Sequence, residues 1–267
     1  MLKDITIGQF FPGKSIVHRL DSRIKIILTI VFIFMLFMAD SFYGLGVGII
    51  YVLGAFLLSK IPFKMMLKSL KPLVPILIFT GILNIFFITA GDPVFEWRFI
   101  TVTDMGLRTA AYNMIRIIGL IIGSSLLTYT TSPIALTDAI ERLLSPLKKI
   151  KVPVHELAMM MTIALRFIPT LIEETDKIMS AQKARGADLE TGSLLQRAKA
   201  LVPILIPLFV SSFRRAEDLA LAMECRCYHG GEGRTRLKQL KTAPRDYVAL
   251  VITAGFVFLT VFADKLA

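Results

Sequence analysis

The chain of 267 residues holds only two cysteines and three histidines, and these scarcities narrow its chemistry before any motif is considered. Cys225 and Cys227 stand one residue apart, poorly placed for an ordinary disulfide, beside a run dense in Arg and Lys that suits a reducing compartment. With His229 they form a Cys-x-Cys-x-His cluster, but a structural zinc site needs a fourth ligand and normally wider spacing, so no metal is expected. The sequence has no phosphate-cradling glycine-rich loop of the P-loop kind, no His-Glu-x-x-His and no convincing Ser/His/Asp or carboxylate set. No catalysis and no cofactor are expected of it. Nor is a cleavable leader apparent: the first apolar run starts near Ile24 after a polar, charged lead and no small-residue cleavage site follows, so the chain is expected to begin at Met1.

Hydrophobic sequence is abundant, at 55% of residues and a mean hydropathy of +0.67. The runs Ile24 to Ala39, Phe42 to Leu58, Leu73 to Ala90, Leu107 to Thr130 and Tyr247 to Ala263 approach the ~20 residues that a helix needs to cross a bilayer. The expected fold is all-α and polytopic, with about five transmembrane helices. The first run is short, and Lys25 would have to snorkel to complete it. A formal charge of +11 would suggest nucleic acid in a soluble chain, but here the cations concentrate in particular loops and nucleic acid is not an expected partner. Lys3, Lys14, Arg19, Arg23 and Lys25 precede or open the first run, and Lys60, Lys64, Lys68 and Lys71 separate the second from the third. The connection Gly91 to Asp104 instead carries Asp92, Glu96 and Asp104 against Arg98. The positive-inside rule therefore predicts a multi-pass cell-membrane protein with a cytoplasmic N-terminus. Trp97 and Phe99 fit an interfacial anchor, and His18 to Arg23 with Lys25 fit a basic collar against anionic lipid headgroups.

Four regions follow: a cytoplasmic segment 1–23, transmembrane helices in 24–131, a helical cytoplasmic or interfacial domain 132–245, and a last transmembrane helix in 246–267. The third opens with Ser132 as a helix cap and Pro133 at the first helical position. Leu136, Ile140, Leu143, Leu144 and Leu147 then form one apolar stripe ahead of Lys148, Lys149 and Lys151, as in a helix lying on a membrane surface. Two long helical patterns follow, from about Pro153 to Arg185 and from about Ser193 to Arg226, each ~48 to 50 Å long if continuous. Each is apolar in its first half and highly charged toward its end. Pro169 in the first, and Pro203 and Pro207 in the second, are expected to kink them. Hydropathy leaves open whether Leu157 to Ile172 and Ala200 to Phe213 are two further spans; Arg166 and the paired prolines favour packed or interfacial helices.

The two arms end alike. Ala181-Gln-Lys-Ala184-Arg185-Gly186 and Ala222-Met-Glu-Cys225-Arg226-Cys227 share an Ala, two longer residues and an Arg between small residues, 41 positions apart. Arg keeps its charge when desolvated and offers a planar fork to a carboxylate, so two such tips suggest two matched partners. The plainer reading of either copy is an ordinary helix C-terminus, with Gly in the left-handed position and a cation favoured by the dipole.

Elsewhere, Arg108 and Arg116 interrupt the fourth apolar run; Arg108 is expected at the outer interface and Arg116 deeper, with Asn113 or Asn84 as its partner. Gly44-xxx-Gly48 and Gly119-xxx-Gly123 would let helices approach closely, most simply inside the bundle. Met159, Met160 and Met161 suggest an adaptable apolar surface, although Met at helical spacing is more often core. Glu173, Glu174 and Asp176 could reach basic residues of the second arm, with solvated charge as the default.

The Ala184-Arg185-Gly186 and Cys225-Arg226-Cys227 tips, the leads Arg166-Phe-Ile-Pro169 and Val202-Pro203-Ile-Leu-Ile-Pro207, and the opening His18-Arg-Leu-Asp-Ser-Arg23 together resemble the T component of energy-coupling factor (ECF) transporters. The likeness runs through essentially the whole chain, with Cys227 standing where the family usually has Gly. It implies a membrane scaffold of an ATP-driven importer of vitamins or other micronutrients. In that family two ABC ATPase subunits hydrolyse ATP, a small membrane S component binds the substrate, and the T component couples them through crossed coupling helices. By position, Arg185 and Arg226 with their flanking residues would dock the ATPases; the adaptable surface of Met159 to Met161 would suit contact with an S component. Against this stand a polytopic enzyme acting on a lipid-like substrate through Asp104, Arg108 and Arg116, and a conventional transporter with its own substrate site.

Overall fold

A computed structural model describes residues 10–88, 92–97, 100–187, 193–230, 240 and 242–266, which form two compact units, 8–139 with 240–267 and 140–239. Phe99 and the turn at Gly192 lie outside the described residues. The elements are α1 (Ser22–Met38), α2 (Phe42–Ser59), α3 (Phe63–Leu70), α4 (Val74–Phe87), β1 (Pro93–Trp97), β2 (Ile100–Thr103), α5 (Asp104–Thr130), α6 (Pro133–Leu144), α7 (Val154–Ala184), α8 (Leu194–Glu224) and α9 (Pro244–Leu266).

The larger unit is a helical bundle. α1 packs against α2, α5 and α9, while α2 also touches α5 and α9, and α4 lies along α5. Its core is the cluster of Phe32, Met35, Leu36, Leu45, Val52, Phe56, Ile122 and Tyr129. The outward surface carries many large apolar side chains: Phe34, Phe37, Leu57, Phe79, Phe87, Val251 and Phe258 are all exposed, which suits lipid rather than water. Four glycines set how close the helices come. A Cβ on Gly48 would strike Leu36, one on Gly119 would strike Ile49, one on Gly123 would strike the Phe32 ring and one on Gly44 the Asp264 carboxylate. Both Gly-xxx-Gly pairs therefore close contacts within the bundle.

Helix ends are fastened by residues distant in sequence. Asp246, 2% exposed, accepts from the Asp21 and Ala243 amides at 2.9 and 2.7 Å, joining the starts of α1 and α9. At the other end of α9, Asp264 accepts from the amides of Asp40 and Ser41 and from Ser41 Oγ at 3.2, 3.0 and 2.5 Å. Asp21 caps α1 and pairs with Arg23 at 2.7 Å. Burial pushes its carboxyl up, but hydrogen bonds from Arg23 and the charges of Arg23 and Lys25 outweigh this and hold it below its ordinary value.

One expectation is corrected here. Lys25 does not snorkel outward; it is 5% exposed and its Nζ donates to the carbonyls of Thr130 at 2.8 Å and His18 at 3.1 Å. A cation at the C-terminal end of α5 is favoured by the helix dipole, and those carbonyls would otherwise lack donors. The connection between the third and fourth apolar runs holds an antiparallel hairpin, β1 pairing with β2 through Glu96 with Thr101 and Trp97 with Ile100. Its Val, Ile, Thr and aromatic residues favour strands.

Among the described residues, five segments are long and apolar enough to cross a membrane: Phe42–Ser59, Phe63–Phe87, Asp104–Thr130, Val154–Ala184 and Pro244–Leu266. The set takes in α7 and leaves out the 17-residue α1. The third apolar run forms α4, and the lysine-bearing segment before it forms α3, set off by a tight turn at Lys71–Leu73, since Pro72 and Pro75 each lack an amide for the preceding turn.

In the smaller unit α7 and α8 are each 31 residues long. Ser193 starts α8 with a capping box, its Oγ accepting from the Gln196 amide and Gln196 Oε1 from the Ser193 amide. Both helices run unbroken through their prolines.

Candidate functional site

The backbone at the ends of α7 and α8 follows one hydrogen-bond scheme. In the first, the Gly186 amide donates to Lys183 O at 3.0 Å and the Ala187 amide to Gln182 O at 3.0 Å. In the second, the Cys227 amide donates to Glu224 O at 2.9 Å and the Tyr228 amide to Met223 O at 3.0 Å. This is the Schellman pattern twice over, with Arg185 and Arg226 at equivalent positions and the next residue left-handed. Gly186 takes φ +85° and Cys227 φ +55°, so cysteine adopts the conformation for which glycine is the usual choice, at a cost of about 1–2 kcal/mol. All six tip residues, Ala184, Arg185, Gly186, Cys225, Arg226 and Cys227, are exposed. Both cysteines are free thiols, and no three His, Cys, Asp or Glu side chains among the described residues converge as metal ligands.

The arms lie against each other in opposite senses. Glu174 of α7 accepts hydrogen bonds from Ser211 Oγ and the Arg215 guanidinium of α8, and eight residues further along α7 Gln182 Nε2 donates to Pro203 O at 3.3 Å. The chain order of these contacts is reversed between the two helices. The tips therefore point away from each other: Arg185 lies just past the Gln182 contact, whereas Arg226 lies on the far side of Arg215. Opposite ends of the pair are separated by about 40 Å of helix path at ~1.5 Å per residue.

Proline helps to make this junction. Pro207 has no amide hydrogen, so Pro203 O lacks its usual donor four residues on, and the side chain of Gln182 supplies one from α7. Of these residues, Glu174 is named in the sequence, with Glu173 and Asp176, as able to reach basic residues of the second arm, and it does; its partners Arg215 and Ser211 and the contact of Gln182 are not singled out there. Two near-equal antiparallel arms would bring together positions equidistant from the turn, which is the signal that could have found them.

Of the apolar surface, Met160 and Met161 are exposed at 54% and 46%, with Leu201, Leu205, Ile206, Phe209 and Phe213 exposed on α8; Met159 is half-buried. On α6 and α7, Glu141 and His155 Nδ1 meet at 3.1 Å. In the bundle, Arg116 is not held by an asparagine. It donates to Ala39 O at 2.6 Å and to Tyr112 Oη at 2.7 Å, and its guanidinium lies 4.7 Å from the Tyr112 ring centre. Asn113 and Asn84 instead bond to each other at 3.2 Å. Arg116 thus satisfies the C-terminal carbonyl of α1, and Arg108 pairs with Asp104 at 3.0 Å on the exposed side of α5.

A helical polytopic membrane bundle with antiparallel arms, each stopped by the same exposed Arg motif, is the class that these features define. The sequence matches the family model described as cobalt transport protein, CbiQ, over residues 13–237, and the chain belongs to this family. It is 55% identical over 98% of both chains to the energy-coupling factor transporter transmembrane protein EcfT of Clostridium kluyveri. It is 46% identical to the EcfT of Bacillus subtilis over 97% of this chain and 98% of that one, and 44% identical to the Lactococcus lactis EcfT over 100% of both.

Proposed function

We propose that this chain is the transmembrane scaffold of an ECF-type ABC importer, non-catalytic itself, which couples ATP hydrolysis by two cytoplasmic ATPases to reorientation of a substrate-binding S component for uptake of vitamins or other micronutrients. The observation that carries the proposal is the repeated tip: one backbone motif, an exposed Arg in the same place, and two copies facing opposite ends of an antiparallel pair. One ATPase docks at each tip. The family resemblance supplies the partners, and the N-terminus lies in the cytoplasm by the distribution of Lys and Arg.

In the cycle, closure of the ATPases on ATP draws the two docking grooves together. Each Arg stays in its groove, so the displacement passes into α7 and α8, which bend at Pro169, Pro203 and Pro207. The exposed Met160, Met161 and Phe209 surface then changes shape against the S component, which turns and releases its cargo inward. A docked Arg buried against a carboxylate makes the joint stiff: truncating one partner of such a pair costs about 3–5 kcal/mol.

The test is co-purification of the tagged chain from its native membranes, comparing wild type with Arg185→Ala, Arg226→Ala and the double variant. Two ATPase subunits recovered with wild type, fewer with each single variant and none with the double, is the expected result. A double variant that keeps its ATPases rejects the docking role of the tips.

A further inference from the structure

Between α1, α2, α5, α9 and the turn before α1 lies a cleft of about 520 Å³, within the ~300–1,000 Å³ range of ligand clefts. One end sits at the helix termini, where Lys25 and Arg245 line it, and the walls run inward past Gly54 and Ala249 to Phe32 and Phe256. From Arg245 to Phe256 is about 16 Å of helix, close to half of a ~30 Å hydrocarbon core. Ile50, Leu58, Val248 and Ile252 on its rim are exposed. A Cβ built on Gly54 meets nothing within 4 Å, so the cleft is open there.

The polar groups are distributed in one sense. Tyr51 Oη and Thr253 Oγ1 bond to each other at 2.8 Å, and Thr29 Oγ1 donates to Lys25 O at 2.8 Å, so the walls offer their occupant chiefly apolar surface. Among the described residues no Asp or Glu lines the cleft. Two cations stand at one end, and an ammonium has three donors, of which Lys25 gives two to His18 O and Thr130 O.

From the apolar depth of one leaflet and the cations confined to its mouth, we infer that this cleft binds an anionic phospholipid, one acyl chain lying between Gly54 and Ala249 and the phosphate facing Arg245 and Lys25. Lipid enters sideways past the exposed rim. Which leaflet supplies it follows from the orientation proposed above; the site itself does not depend on the transport reading.

The experiment uses the full chain in phosphatidylcholine vesicles, with trace phosphatidylglycerol or phosphatidylcholine carrying a photoactivatable group midway along one acyl chain. Labelled peptides are mapped after irradiation. Wild type should label in 50–58 and 248–256 with the phosphatidylglycerol probe, and unlabelled phosphatidylglycerol should compete better than phosphatidylcholine. Gly54→Phe, which fills the cleft, should reduce this labelling to background, while Gly46→Phe on the same helix outside the cleft leaves it intact. Arg245→Ala should lower the headgroup preference about fivefold, the factor for a single cation near a membrane surface. Labelling that ignores the headgroup in wild type, or that survives Gly54→Phe in a chain with unchanged thermal stability, overturns the proposal. So does a Gly54→Phe chain that keeps its lipid label but loses a membrane subunit on co-purification, since the occupant is then a protein helix.

Discussion

Glu174 of α7 holds Arg215 of α8 by an ion pair that Ser211 completes from the next turn of α8. The contact crosses the two arms between their apolar halves and their charged ends. Arg215 is 39% and Glu174 19% exposed, so the pair is partly solvated and its coupling energy should be about 1 kcal/mol. A double-mutant cycle of Glu174→Ala and Arg215→Ala on thermal stability in detergent should return that figure. Strict additivity would show that the pair does not tie the arms together.

The prolines of α8 should show their effect through Gln182. With Pro207 present, Gln182→Ala leaves Pro203 O without a donor and should cost up to about 1 kcal/mol. With Pro207→Ala, the new amide at 207 competes for that carbonyl, and removing the Gln182 side chain should cost almost nothing. Hydrogen exchange of the α8 amides around 203–211 reads both backgrounds.

Cys227 and Gly186 occupy the same left-handed position with different side chains, and opposite outcomes follow. Cys227→Gly should stabilise the second tip by about 1 kcal/mol, and Gly186→Ala should destabilise the first by a similar amount. The measurement is the exchange rate of the Tyr228 and Ala187 amides, which close the two motifs. Equal rates in wild type and variants would mean that the left-handed backbone does not limit either tip.

Acid should loosen the end of the bundle where α1 and α9 begin. Because the Asp21 carboxyl is held below its ordinary value in the fold, the unfolded chain binds the proton more readily. The stabilisation is therefore complete above the ordinary carboxylate range near pH ~4 and is lost as pH falls through the lowered value. Thermal midpoints should fall over that acid window in wild type, and Asp21→Asn should flatten the fall while lowering the midpoint at neutral pH.

Gly123 and Phe32 form a tight contact that leaves no room for a Cβ beside the ring. Gly123→Ala should destabilise by about 1–3 kcal/mol through overpacking, and Phe32→Leu should recover part of it in the double variant. Melting of the four chains compares them directly.

The long-range order of the sequence was readable where local signals are strong. The arms were expected at 153–185 and 193–226 and run Val154–Ala184 and Leu194–Glu224, because Pro153, Ser193 and the small residue after each Arg mark helix ends by local chemistry. Spatial partners were less readable. Lys25 reads as a snorkelling side chain until Thr130 is seen beside it, and Arg116 reads as a partner of nearby asparagines until the end of α1 arrives from 77 residues away. The β1–β2 hairpin is short and lies among charged residues, which hid its alternation. At the tips, the Arg repeat was visible, but the antiparallel placement that separates the copies depends on Glu174 and Gln182 meeting residues of the other arm.

Asp246 and Asp264 give α9 a further property. They sit on one helix about 27 Å apart at ~1.5 Å per residue, about five whole turns and so on one face, and each grips the start of a different neighbour, α1 at one end and α2 at the other. The last helix is thus a ruler for the bundle. Adding or deleting a residue between them would rotate one carboxylate by ~100° away from its amides, at ~3.6 residues per turn, so the interval is set by angle as well as length. A thinner or thicker bilayer would have to be met by tilting the bundle as a body rather than by stretching it.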